Sequence, residues 1–285
     1  MILNTLRNAF LLARPYSIPN IILVVLATII ISGKESLDFS VLIPIIIGIL
    51  FWSSSVYLLE FAHKLADGRQ EFFSNYFLAI PTILLIILLF FYSPLGILIF
   101  ALAFLSVWLY SLKVYDLPFS HLMFIFRPFT EIGIIFTIYL MYSNDFSSSF
   151  LYVLIGAIYF ISLSRNLIGD LRDKNHDKNT LPKKIGEKYT RLVSFLAGLI
   201  ALAIIGPNFE VIPIILALIL ILFKVNYYAT HKIYILLTTF YLSLFASRVL
   251  GLEIIIILIV LIAIILILSY DFVPRKSNNE KPRWF

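Results

Sequence analysis

Cysteine is absent from this 285-residue chain. That removes disulfides, thiolate ligands and thiol nucleophiles, and leaves the redox compartment unmarked. Charge is scarce as well: Asp, Glu, Lys and Arg make up 13% of the residues, against about a quarter in an average soluble domain. Gly/Ser-rich or Pro-rich linkers are missing, and nothing is low-complexity beyond the apolar bias, so residues 1–285 read as one domain. Acidic residues number 16 against 22 basic ones, a formal net charge of +6. In a chain this apolar the basic excess marks the cytoplasmic side of a membrane rather than a nucleic-acid partner.

What the chain has in quantity is hydrophobic residues, 61% of the total. They recur in runs of about 20 residues, the length a helix needs to cross about 30 Å of hydrocarbon. A β-barrel would show weaker, alternating segments. The pattern predicts an all-α, polytopic membrane helical bundle with spans near 17–33, 41–62, 75–92, 95–112, 121–142, 149–169, 190–206, 209–223, 233–249 and 252–270. That makes nine or ten transmembrane helices, because 209–223 is short for a crossing. Residues 1–16 carry Arg7 and Arg14 on an apolar segment, with no small-residue cleavage site after the first span, and predict a retained interfacial helix. Residues 271–285 form a basic tail. An inside N-terminus puts Lys64, Arg69, Lys113, the basic residues of 172–191, Lys224, Lys232 and the tail on one side, leaving Lys34 and Arg248 on the other. An integral membrane protein with a cytoplasmic N-terminus is expected.

Charge concentrates where two spans end on that side. The stretch RNLIGDLRDKNHDKNTLP, 165–182, places Asp170, Asp173 and Asp177 at spacings of three and four. At about 100° per residue they fall within an arc of roughly 60° on one helix face. Like charges so placed repel by a few tenths of a kcal/mol per pair. A divalent cation reverses that sign, and Mg²⁺ takes such hard oxygen ligands together with water and substrate phosphates. The same acids also fit a solvated loop balanced by Arg172, Lys174 and Lys178. In VYLLEFAHKLADGRQ, at the end of the second span, Glu60, His63 and Asp67 repeat the spacing. An interface location accounts for Lys64 and Arg69 but poorly for Glu60, since ionisable groups within spans are costly and mark function by default.

These residues resemble the UbiA superfamily of intramembrane prenyltransferases. Its first motif, N-D-x-x-D-x-x-x-D, aligns with Leu59, Glu60, His63 and Asp67; its second, D-x-x-D-x-x-x-D, is matched by Asp170, Asp173 and Asp177. ARPYSIPN before the first span, YSLK at 110–113 and TLPKKIG after the acidic run fit the same family, over about residues 10 to 270. The first motif is degenerate: Leu59 and His63 replace an Asn and an Asp, and imidazole is a poor Mg²⁺ ligand. TLP follows Asp177 early, and a register carried by Asn166, Gly169 and Asp173 restores the spacing at the loss of one acid.

The resemblance implies a UbiA-type fold and Mg²⁺-dependent transfer of an isoprenoid chain from a polyprenyl diphosphate to a hydrophobic acceptor in the membrane, with release of diphosphate. It implies that Asp170, Asp173 and Asp177 hold one Mg²⁺ and that Glu60 and Asp67 hold a second or orient its waters. Lys113, Arg165 and Lys174 are expected to contact diphosphate, with His63 and Asn166 nearby. Tyr57 and Tyr159 are expected to offer π-density to an allylic cation, and the expected partners are the diphosphate donor, the acceptor and lipid, not nucleic acid. Two other readings stand beside it: a non-catalytic relative that binds a prenyl diphosphate or lipid, motivated by the degenerate motif, and a transporter. Acids at helix ends rather than the bilayer midplane weigh against the transporter. The Asp-Gly-x-x-Ala-Arg core of CDP-alcohol phosphotransferases is absent, since ADGRQEF stops at Asp-Gly.

Overall fold

A backbone in hydrocarbon must satisfy its own N–H and C=O groups, and an α-helix does so within one segment. The computed structural model describes residues 2–33, 39–67, 74–115, 117–175, 177, 179–205, 212–223, 226–250 and 253–272, and among them every regular element is helical. In chain order these are α1 (Ile2–Leu12), α2 (Ile18–Ile31), α3 (Leu42–Asp67), α4 (Asn75–Tyr92), α5 (Pro94–Ser111), α6 (Phe129–Tyr139), α7 (Ser149–Asp173), α8 (Leu181–Ile185), α9 (Glu187–Ile205), α10 (Ile212–Leu222), α11 (Tyr227–Leu250) and α12 (Glu253–Ile267). Among the described residues, each predicted span contains helix. Among the described residues, five segments are long and apolar enough to cross a membrane: Leu42–Leu65, Asn75–Tyr92, Pro94–Ser111, Ser120–Tyr139 and Ser149–Asp173. A sixth arises if α1 and α2, bent by 42°, count as one. Helix α10, with 11 residues, reaches only about 16 Å at 1.5 Å per residue.

Proline sets several boundaries. It occupies the first turn of α2, α5 and α8, where its missing N–H costs nothing. The stretch 121–142, expected as one helix, is divided. A 3-10 segment, Ser120–Phe126, leads through Arg127 into α6, which starts after Pro128, because proline has no N–H to continue the ladder. Arg14, before Pro15, takes a left-handed backbone (φ 57, ψ 62) that ends α1 and redirects the chain.

Packing follows small residues and single stripes. Helix α4 buries Phe77, Pro81, Leu85 and Leu89, spaced by four, and exposes Ile80, Ile83, Leu84, Ile87, Phe90 and Phe91, as a lipid-facing helix does. Gly133 lets α6 approach α3 and α5. A Cβ there would lie 2.8 Å from Phe51 Cζ and 2.9 Å from Ala103 Cβ. Helix α7 packs on α9 and α11, and α3 on α4 and α5, around a core that includes Phe51, Trp52, Ile134, Ile158 and Leu218. The ends of α3, α5 and α7, the bend at Arg14 and the turn Leu268–Phe272 meet at one end of the bundle.

Candidate functional site

Lys113 is the centre of this end. A 3-10 turn, Leu112–Val114, follows α5 and tucks the side chain inward to 5% exposure. Its Nζ donates to the Tyr110 hydroxyl at 2.7 Å and to Asp170 Oδ1 at 2.5 Å, and lies 3.3 Å from Asp177 Oδ2. The ammonium also sits 4.3 Å from the Tyr110 ring centroid. Both carboxylates are 1% exposed. Burial works against the Lys113 charge, but Asp170, aided by Tyr110 and Asp177, outweighs it and holds the ammonium well above its ordinary range.

Asp177 reaches this point from outside the helix. Helix α7 ends at Asp173; the Asp177 amide still donates to the Asp173 carbonyl at 3.1 Å, and the Asn179 amide donates to the Lys113 carbonyl at 3.2 Å. The expected single face of three carboxylates is therefore corrected. Asp170 and Asp177 converge on Lys113, while Asp173 turns to Arg172, which donates Nε to Asp173 Oδ1 at 2.7 Å and Nη2 to Oδ2. In a low-dielectric setting each buried acid must find a cation, and two cations at different azimuths divide the run.

Arg172 is itself held from the far end of the chain. Its Nη1 donates to the Tyr270 hydroxyl at 2.6 Å and lies 3.2 Å from His231 Nδ1. Because a guanidinium only donates, the Tyr270 oxygen accepts, and its own proton can go to His231 Nδ1, 2.7 Å away. Tyr270 is fully buried between Tyr16 and Tyr228, each with ring centroids 5.0 Å away, and Lys232 pairs with Asp271 at 2.7 Å.

Glu60, 2% exposed, receives Arg14 Nη2 at 2.7 Å and has His63 Nδ1 at 3.5 Å from its other oxygen. The bend at Arg14–Pro15 aims this guanidinium back at α3. Arg14 is also near enough to Arg172 for their charges to repel, which links the two acidic ends. Asp67 is the last residue of α3 and its side chain lies outside the described residues. Tyr57 donates to the Ala9 carbonyl at 2.8 Å and packs on Phe77, tying α1 to α3 rather than lining the Lys113 site.

A second polar layer lies deeper. Arg127, 2% exposed, donates to Thr130 at 2.8 Å, lies 4.8 Å from the Trp52 ring and, among the described residues, has no carboxylate within ion-pair distance. Arg14, Arg165, Glu131 and Tyr110 are within its electrostatic reach. Arg165, expected at the diphosphate, instead donates to Glu131 Oε1 at 2.6 Å. Lys174, expected there too, pairs with Glu187 on α9. Asn166 donates to Ser162 at 3.4 Å, and Tyr159 donates to the Ile125 carbonyl at 3.2 Å while packing edge-on to Phe129.

Sequence reasoning gave no site role to Arg14, Tyr110, Arg127, Glu131, His231 or Tyr270, and to Arg172 only that of balancing the acids of a solvated loop. For Arg127 and Glu131 the signal was present, since both are ionisable residues inside an otherwise apolar predicted span. For the Arg172–His231–Tyr270 contact there was none, because its members are 59 and 98 residues away from Arg172. Among the described residues no three His, Cys, Asp or Glu side chains form a metal cluster. Asp170 and Asp177 nevertheless bring two carboxylates to one cation. Mg²⁺ uses one or two carboxylates with substrate phosphates, so this donor pair fits it.

The chain follows the course of a solved digeranylgeranylglyceryl phosphate synthase of membranes, at 16% identity and a TM-score of 0.53, covering 94% of this chain and 99% of that one. At this identity the likeness shows the fold. No protein-family model matches the chain, and no curated protein matches it.

Proposed function

We propose that this protein transfers a prenyl group from a prenyl diphosphate to a hydrophobic acceptor within the membrane, releasing diphosphate. The observation that carries the reading is a group of cations, buried Lys113 and Arg127 with part-buried Arg14 and Arg172, gathered with Asp170 and Asp177 at one end of a bundle folded like a membrane prenyltransferase. The basic loops support a cytoplasmic location for that end, where a charged diphosphate would arrive while its chain enters hydrocarbon.

Arg127 is the group best suited to an anion, since a buried guanidinium without a carboxylate gains most from one. Lys113, released by the arriving phosphates from part of its pairing with Asp170 and Asp177, neutralises charge on the leaving diphosphate. Asp170 and Asp177 would hold Mg²⁺, and Asp173 would join them on leaving Arg172. When bound, that cation withdraws charge from the leaving group and orients it. Glu60 keeps Arg14 in place, which leaves the degenerate first motif a positioning role in this chain. Trp52 and Tyr110 present the π-faces beside the cations, the place assigned from sequence to Tyr57 and Tyr159.

The test is turnover of radiolabelled geranylgeranyl diphosphate by purified protein with Mg²⁺ and a panel of acceptors, beside Asp170→Asn. Labelled product that is lost in the variant and with chelator supports the reading. Donor that binds but is never consumed by any acceptor refutes transfer and moves the non-catalytic relative ahead. A specific observation favours that second reading: Glu60, Asp170, Asp173 and Asp177 each already have a resident cation.

A further inference from the structure

The transfer mechanism above leaves one buried acid unused. Glu131 lies in the first turn of α6 at 4% exposure, within an apolar segment. Its two oxygens are unequal. Oε1 takes both available donors, Arg165 at 2.6 Å and Ser162 at 3.0 Å, while Oε2 is buried and has no hydrogen-bond partner. A carboxylate bonded through one oxygen and left bare at the other is costly unless a donor arrives there. The Trp52 indole, whose Nε1 is likewise buried without a partner, flanks Arg165 at 6.0 Å and Arg127 at 4.8 Å.

The depth of this oxygen relative to the Lys113 site follows from α7. Arg165 and Ser162 precede Asp170 by five and eight residues, so Glu131 is held roughly 8–12 Å further into the bundle. Arg127 has both Glu131 and Tyr110 within its electrostatic reach, and the Tyr110 hydroxyl is 3.5 Å from Asp170 Oδ1. Arg127, with both Glu131 and Tyr110 in reach, thus links the Lys113 site to Glu131.

We infer that Glu131 is a catalytic proton acceptor and that the acceptor substrate presents a hydroxyl group to its Oε2. The inference rests on the prenyl-transfer reading and names its acceptor class. At this depth a neutral O–H is the donor that reaches a bare carboxylate oxygen with little desolvation cost, whereas an ammonium would be taken from water at a high one. In the step, the acceptor oxygen forms a bond to the allylic C1 of the donor. The C1–O bond to diphosphate breaks with its electron pair leaving on diphosphate, and the hydroxyl proton passes to Glu131 Oε2. Arg165 and Ser162, bonded to Oε1, orient Glu131 and act as positioning residues.

The experiment uses the full chain in nanodiscs with Mg²⁺, radiolabelled geranylgeranyl diphosphate and matched panels of alcohol and arene acceptors. It scores bound donor, prenylated product and prenol released by water. For Glu131→Gln, donor binding is expected to stay within about twofold and transfer to alcohols to fall roughly 10²- to 10⁴-fold, the usual contribution of a general base. The ratio of prenol to prenylated product rises, and Glu131→Asp recovers part of the loss. Transfer by Glu131→Gln at the wild-type rate overturns the inference, as does an equal fall in binding and both products, which marks a structural role. Should Glu131→Gln fail to accumulate, the double variant Glu131→Leu with Arg165→Met replaces the pair by apolar groups of similar volume; alcohol transfer retained there overturns the assignment. Wild-type protein that labels arenes but no alcohol refutes the hydroxyl class while sparing prenyl transfer. Wild-type protein that labels neither refutes the underlying reading.

Discussion

Removing the Lys113 ammonium is the most direct perturbation of this site. Lys113→Met keeps the aliphatic stem and leaves Asp170 and Asp177, both 1% exposed, without the cation that lies 2.5 and 3.3 Å from their oxygens. Breaking a buried pair by deleting one partner costs about 3–5 kcal/mol, and two stranded acids place this case at the upper end. For a chain of this size each kcal/mol moves the unfolding midpoint by about 2–4 °C, so a drop of roughly 10–20 °C is expected. Thermal unfolding in a fixed detergent, followed by tryptophan fluorescence, measures it. Adding Asp170→Leu to Lys113→Met removes one stranded charge and should recover part of the loss, whereas Asp170→Leu alone leaves Lys113 with Asp177. The pH dependence has a defined sign. Lys113 has a folded-state pKa raised above the ordinary lysine value. Its stabilisation is therefore complete below about pH 10.4, the unperturbed lysine value, and is lost only as pH rises through the higher folded value. No loss of stability attributable to Lys113 is expected between pH 7 and 10. A Lys113→Met midpoint within about 2 °C of wild type, or no recovery in the double variant, refutes the argument that these acids depend on this lysine.

Three further outcomes follow from the same geometry. Arg127→Met removes a buried cation that has no paired carboxylate, so the protein without ligand should unfold no lower than wild type while donor affinity falls at least about tenfold; paired melting and filter-binding assays check both halves. Tyr270→Phe deletes the hydroxyl that receives Arg172 and faces His231, and should cost about 1.5–3 kcal/mol, the range for hydrogen bonds to charged groups; His231→Asn, which keeps an acceptor near Nδ1, should cost less in the same melt. Gly133→Ala forces a methyl against Phe51 and Ala103 and should destabilise by about 1–3 kcal/mol without altering donor affinity in the variant that remains folded.

The sequence by itself determined the class of the molecule. Sixty-one per cent hydrophobic residues in long runs leave no solution but helices that satisfy their own backbone, and among the described residues helix forms in every predicted run. Prolines fixed boundaries locally, yet the bend at Arg14–Pro15 was not read, since residues 1–16 were expected as one interfacial helix. The division of 121–142 was not read, although Pro128 marks it. The spacing of Asp170, Asp173 and Asp177 placed them at the right helix end, but periodicity assumes that α7 continues past Asp173, and it does not.

Only the tertiary structure decided which cation meets which acid. Lys113 and Asp170 are 57 residues apart, Arg14 and Glu60 are 46 apart, and Arg172 and Tyr270 are 98 apart. Such pairings depend on how helices rotate and approach one another, and that is set by close contacts such as the one at Gly133, which no spacing rule encodes. Because a buried charge is stable only beside its counter-charge, the packing that fixed those rotations also selected the partners. It sent Arg165 to Glu131 and Lys174 to Glu187, and left Arg127 with no carboxylate partner among the described residues.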